Sequence, residues 1–524
     1  MILTSWLACY ATGYAFQLDE AFSTVVIATF GTPLCFLVSA LFSKKVARWW
    51  FACFLIVTTL YFPVGWMYGA PNFKIVGGAL EADGLEIREF LLFVPKYVWA
   101  LQSAYGIFAW VAWHKVQPLW DKVEQLQKRY RVYMVLVLLM VLVFPWLRVI
   151  LVVDKWLDIH DYQAPFPIHA VGFYLDLASA PYIYFQKKSA LMEQANLPST
   201  WHIQSINPRY KNYVLIIGES ARADYMHAYG FPLENTPFLS QSKALLIDGY
   251  LSTAEFTMAS LPKTLSLRNS NLDEVEKIFV GDRLNHNNII SLAKQAGFET
   301  AWLSNQGMLG LFANETSSYA QRADYVYFTQ RGDYQNSRFL GDTLLLSPFR
   351  KLFLTQTHAP RLIVFHIMGS HHDFCKRLEN PTPFEFKSEK ISCYVGTIKQ
   401  TDDLMRDIVQ ILEEQGESWS LVYFSDHGLK HIGLETSEAS LQHGGDTYES
   451  FYVPLVKLSS DDIEKRILKT TRSAFYFLTG FADWLGLEVE ELKRPNYDFW
   501  GKQEDIPASD NNLEQILHLP KDPY

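Results

Sequence analysis

The sequence predicts an α-helical transmembrane domain of about five spans, followed by an α/β domain with a central, mostly parallel sheet. Hydrophobic residues make up 49% of the 524 positions, which is near the globular average, but their distribution is uneven. Residues 1–153 are rich in Leu, Val, Phe and Trp and carry few charges. From Tyr213 onward, strand-like apolar runs alternate with segments of helical periodicity, which indicates an α/β fold.

Five apolar stretches in the first region are predicted to cross a membrane, because a spanning helix needs roughly 20 apolar residues. They are residues 2–16, 21–42, 50–69, 97–113 and 133–153. The first is shorter than the others, but it lacks the basic start and the small-residue cleavage site of a signal peptide. We therefore interpret it as a span.

The charges of the connecting loops predict the orientation. Basic residues follow the second and fourth spans, whereas the loop of residues 71–95 is acidic. Because basic loops stay in the cytoplasm, five spans that start inside place residues 154–524 on the external face. Residues 154–208 are predicted to form a connector, with an amphipathic helix around 173–185 that could lie along the membrane surface.

Residues 209–500 are predicted to form the large external domain, and residues 501–524 a C-terminal tail that is surface-bound or partly disordered. Residues 289–295 have helical character, residues 300–303 read as a short strand, and residues 401–415 have apolar positions at helical spacing before the strand at 421–424. This alternation is typical of strands that run parallel in one sheet.

Composition excludes one class of partner and leaves a question about the cysteines. The net charge of −9, with no basic stripe or zinc-finger spacing, argues against nucleic acid as a partner.

Cys9, Cys35 and Cys53 lie in apolar segments and are expected to be inert core residues. Cys375 and Cys393 could form a disulfide in an external compartment, and the alternative is two free thiols.

Residues of the types that commonly bind metal ions follow three of the predicted strands. Glu219 follows the apolar run 214–217, a histidine-rich segment follows 362–365, and Asp426 with His427 follows 421–424. The carboxyl ends of parallel strands meet at one edge of a sheet, so these residues are expected to converge. Carboxylates and imidazoles suit zinc or a similar divalent ion. The alternative for Asp426 and His427 is an ordinary polar turn.

Four histidines and a hydroxyl-rich segment are further candidates. His366, His371 and His372 fall within seven residues, and one or two of them are expected to be structural. His443 precedes two glycines that would allow a ligand to approach closely, although a solvated loop histidine is the alternative. Residues 251–262 are dense in hydroxyls ahead of a possible helix. A hydroxyl at a helix N-terminus beside a divalent ion is activated for attack on phosphorus, and an ordinary N-cap is the alternative.

Several motifs occur together in one order along the chain. They are Glu81-Ala-Asp-Gly-Leu-Glu86, Gly218-Glu219-Ser220 with Arg222 and Asp224, Tyr229-Gly230, Thr236-Pro237, Trp302-Leu-Ser-Asn-Gln306, His366-x-Met-Gly-Ser-His371, Thr401-Asp402, Ser425-Asp-His-Gly428, His443-Gly444 and Val453-Pro-Leu455. On these motifs the chain resembles, over nearly its whole length, the bacterial phosphoethanolamine transferases. These are inner-membrane enzymes of the alkaline phosphatase and sulfatase superfamily.

The resemblance implies a nucleophile and a metal site. The nucleophile is Thr257, which stands five residues before Pro262 in the Thr-x-x-Ser-x-Pro pattern. The resemblance further implies one tightly bound zinc ion, held by Glu219, Thr257, Asp426 and His427, and leaves a second zinc ion open.

The resemblance also implies residues that handle the substrate. His371 and His443 correspond to two histidines that flank the phosphoryl group, and Glu81 and Asn305 correspond to substrate-binding positions. A bridge between Cys375 and Cys393 would correspond to a family disulfide.

Two departures from the family pattern bear on specificity. Thr253 and Lys263 stand where many relatives have two cysteines beside the nucleophile, so that disulfide is absent. After Gly428 the lipid A-modifying members continue with Glu-Ser, whereas this chain has Leu-Lys-His at residues 429–431. The acceptor specificity of those members is therefore not transferred to this chain.

The function implied is transfer of phosphoethanolamine from phosphatidylethanolamine to a lipopolysaccharide core sugar, lipid A or a related glycolipid. The expected protein is a monomeric, multi-pass protein of the bacterial inner membrane, in contact with membrane lipids and with its catalytic domain in the periplasm. The alternatives are a glycerol-phosphate transferase of the lipoteichoic acid synthase type, a membrane-bound phosphodiesterase or sulfatase, and a scaffold that has lost catalysis. The acidic-loop motif and the run from His366 to His371 favour the first reading.

Overall fold

The computed structural model describes most of the chain and divides it into two units. The described residues are 1–14, 21–72, 75–76, 79–80, 94–126, 129–140, 168–267, 286–308, 314–330, 340–507 and 512–524. One unit comprises residues 1–187 with 335–337, and the other comprises residues 188–334 with 338–524.

The first unit is helical. Its helices are α1 (Ile2–Ala11), α2 (Ala21–Phe42), α3 (Lys44–Tyr68), α4 (Lys96–Glu124) and α5 (His169–Ala195), and residues 129–140 are also helical. The last residues of α5, from 188 onward, belong to the second unit. Ser43 begins α3 as its N-cap, because its side chain accepts a hydrogen bond from the backbone N–H of Val46. Aromatic side chains, among them Phe36, Phe51 and Trp120, form the centre of this unit.

One helix among the described residues is long and apolar enough to cross a membrane. It lies at Lys44–Met67 within α3 and has a mean hydropathy of 1.6, while Ile2–Ala11 and Thr29–Phe42 are shorter apolar helices. The predicted count of five spans is therefore not confirmed, and residues 141–153 of the fifth lie outside the described part. The large apolar side chains of Leu60, Ile107 and Trp110 are exposed, as expected of helices that face lipid.

The second unit is built on an eight-stranded sheet. The strands of this unit are β1 (Ile203–Ile206), β2 (Asn212–Gly218), β3 (Leu245–Leu251), β4 (Glu299–Gly307), β5 (Tyr325–Gln330), β6 (Arg361–His366), β7 (Trp419–Ser425), β8 (Lys430–Ile432), β9 (Ser440–Gln442), β10 (Leu455–Ser459), β11 (Arg466–Ser473) and β12 (Leu487–Val489). The order in the large sheet is β11-β3-β10-β7-β2-β6-β4-β5, and β1–β12 and β8–β9 form two small two-stranded sheets.

Helices accompany the sheet strands. They are α6 (Pro237–Gln241), α7 (Thr257–Leu265), α8 (Ile289–Gln295), α9 (Asn314–Ala320), α10 (Leu346–Leu352), α11 (Phe374–Arg377), α12 (Glu389–Glu414), α13 (Phe477–Leu485) and α14 (Leu513–Leu517). Both faces of the sheet are covered by apolar side chains, as the alternating residues of β2 show. Tyr213 and Leu215 join one apolar cluster, whereas Val214 and Ile216 join another on the opposite face. A central strand that is buried on both faces reads as a continuous apolar run.

The sheet is mixed, although most neighbouring strands are parallel as the sequence predicts. Among the described strands of the large sheet, β10 alone runs antiparallel to both of its neighbours, β3 and β7. The other five pairings are parallel. Between β7 and β10 the chain forms the β8–β9 hairpin and no long helix. Without a crossover helix, the returning strand pairs with its neighbour in the antiparallel direction.

Asp505 lies in the region that the sequence predicts to be a surface tail, yet its side chain is buried. Its carboxylate accepts hydrogen bonds from Arg472 Nη1 at 2.7 Å, from the Ser473 backbone N–H at 2.6 Å and from the Tyr497 hydroxyl at 2.6 Å. Residues 501–507 therefore pack against the end of β11 around a buried ion pair.

We expect Asp505→Ala to lower the free energy of unfolding by about 3–5 kcal/mol, because the buried charge of Arg472 would lose its partner. Thermal unfolding of the full chain, followed by tryptophan fluorescence, measures this loss. The matched control is Glu504→Ala, which removes a neighbouring exposed carboxylate and should change the stability by less than about 0.5 kcal/mol. Equal unfolding midpoints for the two variants would contradict a stabilising role of the pair.

Candidate active site

Three strand ends bring the predicted site residues together at one edge of the sheet. β2 and β7 are parallel neighbours, with Gly218 opposite Ser425 in register, so Glu219 and the pair Asp426–His427 leave the sheet side by side. Thr257 follows β3 and is the first residue of α7.

Glu219, Asp426 and His427 form a buried cluster whose ligand atoms all lie within 4.8 Å of one another. His427 Nε2 lies 3.3 Å from Glu219 Oε1 and 3.5 Å from Asp426 Oδ2. Asp426 Oδ2 accepts no hydrogen bond from the described residues, although it is buried. A buried carboxylate oxygen that accepts no hydrogen bond is costly, and a bound cation would satisfy it.

The charges of this cluster shift its pKa values strongly. Burial alone would raise the pKa of Glu219, but the hydrogen bond and charge of His427 hold it below its ordinary value. Burial, and then the nearby Glu219 carboxylate, raise the pKa of Asp426 to about 7. Burial opposes the charge on His427, yet the two carboxylates raise its pKa to about 9. A cluster with two carboxylates around one imidazole attracts positive charge.

The donor set fits zinc. His427 Nδ1 lies 2.8 Å from the carbonyl oxygen of Gly428, so the ring donates there and Nε2 faces the two carboxylates, where it would offer its lone pair to a bound ion after losing its proton. Two carboxylates, one imidazole and one hydroxyl are ligands that zinc accepts. In the part of the chain that the structure describes, this is the one group of three or more His, Cys, Asp or Glu residues placed to hold an ion.

Thr257 is in contact with this cluster. Its hydroxyl donates to Glu219 Oε2 at 3.1 Å and lies 3.4 Å from His427 Nε2. The residue is half-buried, and its position at the start of α7 places it at the positive end of the helix dipole. The structure thus brings all four residues of the predicted metal site together.

Ser220 and Gln306 support the cluster, and sequence reasoning gave neither a role. The Ser220 hydroxyl donates to Glu219 Oε1 at 2.8 Å, and its backbone N–H donates to Asp426 Oδ1 at 3.1 Å. Ser220 has a φ of 59°, a left-handed conformation that non-glycine residues adopt at a cost and that is common at functional sites. Gln306 Nε2 donates to Glu219 Oε2 at 3.3 Å. The sequence indicated a role for Ser220 and Gln306 only through their presence in the motifs Gly218-Glu219-Ser220 and Trp302-Leu-Ser-Asn-Gln306.

The two predicted flanking histidines lie in different surroundings. The ring of His443 is 4.8 Å from the ring of His427, and its Nδ1 donates to the carbonyl oxygen of Glu255 at 3.2 Å. His371 is buried, and burial lowers its pKa to about 3. Arg377 Nη2 lies 3.4 Å from His371 Nδ1, so that nitrogen accepts and the ring proton sits on Nε2.

The remaining candidates are placed as follows. His366 is buried beside Trp302 with Nδ1 3.4 Å from the Ser304 hydroxyl. The side-chain amide of Asn305 is held by Leu340, Asp342 and Thr329, and its role in substrate binding stays a prediction. Glu81 lies outside the described residues. Cys375 and Cys393 are joined by a disulfide that ties α11 to α12.

A buried carboxylate–imidazole cluster at the edge of an α/β sheet, with a hydroxyl beside it, is suited to metal-assisted chemistry at a phosphoryl or similar group. Residues 211–487 match the Sulfatase family model. The phosphoethanolamine transferase OpgE of Escherichia coli strain K12 is 31% identical over 451 residues, which cover 83% of this chain and 80% of that protein. The chain belongs to the phosphoethanolamine transferases.

Two solved structures show likeness at lower identity. The C-terminal periplasmic domain of EptC from Escherichia coli, in complex with Zn, has a TM-score of 0.45 and 20% identity, covering 57% of this chain and 88% of that one. The integral membrane lipooligosaccharide phosphoethanolamine transferase A (EptA) from Neisseria meningitidis has a TM-score of 0.43 and 16% identity, covering 93% of this chain and 95% of that one.

Proposed function

We propose that this protein transfers phosphoethanolamine from phosphatidylethanolamine to a cell-envelope acceptor, a core sugar or lipid A of lipopolysaccharide, through a covalent intermediate on Thr257. The observation that carries the proposal is the Thr257 hydroxyl, held at the start of α7 and hydrogen-bonded to the buried Glu219. A hydroxyl fixed beside a metal-type cluster is the arrangement that nucleophilic phosphoryl transfer needs.

In the first step the Thr257 oxygen attacks phosphorus, the bond to the diacylglycerol oxygen breaks, and diacylglycerol leaves. The hydrogen bond to Glu219 orients the hydroxyl for this attack. Zinc, when bound by Glu219, Thr257, Asp426 and His427, supplies positive charge that lowers the pKa of the hydroxyl and offsets charge on the phosphoryl oxygens.

Proton handling falls to the two flanking histidines. His443 donates through Nδ1 to the Glu255 carbonyl, which leaves its Nε2 to exchange a proton with the reacting oxygens and to protonate the leaving oxygen in this proposal. His371 carries its proton on Nε2, with Nδ1 facing Arg377, and donates a hydrogen bond to a phosphoryl oxygen. In the second step an acceptor oxygen attacks phosphorus and the bond to Thr257 breaks.

The same proposal includes the membrane arrangement. Five spans that begin in the cytoplasm would place the α/β unit in the periplasm of a bacterial inner-membrane protein, within reach of lipid donors. The basic residues after the second and fourth predicted spans support this orientation, although those after the second span lie in the first turns of α3 and not in a loop. The apolar helix at Lys44–Met67 supports a membrane span.

Intact-protein mass spectrometry tests the proposal. After incubation with phosphatidylethanolamine vesicles and zinc, the full chain should gain the mass of one phosphoethanolamine group, mapped by fragmentation to Thr257, and release diacylglycerol. Adding lipopolysaccharide should return the protein to its original mass. Vesicles of phosphatidylglycerol serve as the control and should give no adduct. Diacylglycerol release without any protein adduct would instead indicate a hydrolase.

A further inference from the structure

Residues 518–524, which we name the terminal segment, lie against three stretches of chain that carry site residues. These are the loop after β2 that begins with Glu219, the turn after β7 that contains Asp426 and His427, and the stretch that follows His443. Nothing in the sequence pattern of the terminal segment points to the site, because its acidic and proline residues resemble those of a surface tail.

The first contact of the terminal segment is with Arg222, three residues after Glu219. Arg222 is fully buried, and its Nη1 donates to Asp522 Oδ2 at 3.0 Å while its Nη2 donates to the Asp522 backbone oxygen at 2.7 Å. On its other side Arg222 pairs with Asp224 at 2.6 Å. One buried cation is therefore shared between two carboxylates, and the geometry of the loop after β2 depends on both.

The second contact is with His431, four residues after His427. The backbone N–H of His431 donates to Asp522 Oδ2 at 2.8 Å, and its ring Nδ1 lies 3.0 Å from Asp522 Oδ1. Arg222 Nη1 also donates a hydrogen bond to the carbonyl oxygen of Leu429 at 3.2 Å. The Asp522 carboxylate thus links the chain that follows Glu219 to the chain that follows the Asp426–His427 pair.

The third contact reaches the stretch after His443. The Tyr448 backbone N–H donates to the Pro520 oxygen at 2.9 Å, and the Asp522 backbone N–H donates to Glu449 Oε2 at 2.6 Å. The Glu449 backbone oxygen in turn packs against Gly428, where an added Cβ would lie only 2.1 Å from it. The terminal segment therefore contacts, through Glu449, the backbone of the turn that contains His427.

We infer that Asp522 is a positioning residue of the transfer site, which acts with the register of β2 and β7 to hold the loop that begins with Glu219 at a fixed distance from the turn that contains Asp426 and His427. This inference rests on the proposed zinc site. Zinc ligands on two separate loops bind an ion tightly only if the loops are held at the correct distance. Groups that hydrogen-bond metal ligands directly commonly contribute 10–100-fold to affinity or activity, and the effect of a residue one contact further out, such as Asp522, is expected at the lower end of that range. Asp522 contacts the chain on both sides of the site and touches none of the ligands themselves.

The test uses the full chain with Asp522→Asn, which keeps the shape of the side chain and removes its charge. We expect the dissociation constant for zinc to rise about tenfold and the rate of adduct formation at saturating phosphatidylethanolamine to fall about tenfold. The lipid concentration at half-maximal rate should change by less than about twofold, because Asp522 does not contact the donor in this inference. In zinc-free protein, the His431 amide should exchange its hydrogen faster than in the wild type.

Two further variants separate positioning from a general loss of stability. Glu514→Gln removes an exposed carboxylate from α14, in the same part of the chain, and should leave zinc affinity and rate unchanged. Asp522→Glu retains the charge and should recover part of the zinc affinity. If Asp522→Asn binds zinc as tightly as wild type, or lowers only the folded fraction, the inference is overturned. If the wild type itself binds no zinc, the proposed metal site fails instead.

Discussion

Replacement of Thr257 by alanine is expected to abolish the phosphoethanolamine adduct and to slow transfer to the acceptor by at least about a thousandfold, or about 4 kcal/mol in the activation free energy. The hydroxyl of Thr257 is the one candidate nucleophile that the structure places in hydrogen-bond contact with both Glu219 and His427 among the described residues. Without this hydroxyl no covalent intermediate can form. Transfer could then occur only by direct attack of the acceptor on the donor phosphorus. Intact mass and release of diacylglycerol measure the two losses separately.

The substitution also separates chemistry from metal binding. Glu219, Asp426 and His427 remain in Thr257→Ala, and water can take the place of the neutral hydroxyl, so zinc affinity should fall less than after the loss of a charged ligand. Thr257→Ser keeps the hydroxyl without the methyl group and should still form an adduct. A Thr257→Ala protein that transfers phosphoethanolamine at the wild-type rate would rule out the covalent intermediate and favour a single displacement by the acceptor.

The metal-type residues were predictable because their signal is local. An apolar run that ends in Glu219, and another that ends in Asp426 and His427, predict buried parallel strands, and parallel strands deliver their following residues to one edge. The register of β2 and β7 then places the two strand ends side by side. The nucleophile was less predictable from residues alone, since hydroxyls are frequent in the segment 251–262, and only the resemblance selected Thr257.

The supporting contacts were not predictable because they join distant parts of the chain. Gln306 contacts Glu219 from 87 residues away, and Asp522 contacts Arg222 from 300 residues away. Periodicity carries no information about such pairs, since they depend on how the elements pack. The direction of β10 was missed for a related reason, because it depends on the connection before the strand and not on its own apolar pattern.

Asp426→Asn is expected to remove zinc binding and transfer together, which distinguishes it from the Thr257 variants. The amide keeps the size of the side chain but replaces the buried carboxylate oxygen that accepts no hydrogen bond and that a cation would satisfy. We expect zinc affinity to fall by at least about a hundredfold, because loss of a direct ligand should exceed the effect of losing its outer partners. Titration of metal-free protein with zinc, together with the adduct assay, measures both effects.

Without zinc the same substitution is compared with the wild type by thermal unfolding at pH 8. Burial and the Glu219 carboxylate raise the pKa of Asp426 to about 7, above its unfolded value of about 3.9. A carboxyl whose pKa is raised by folding destabilises the folded state as pH rises through that interval, so the cost is absent below pH ~4 and complete above pH ~7. The amide removes this cost, but it also removes one of the two carboxylates that raise the pKa of His427, so the two effects on stability oppose each other. Zinc should therefore raise the unfolding temperature of the wild type but not that of Asp426→Asn, and a zinc-dependent rise in both would show that Asp426 is not a ligand.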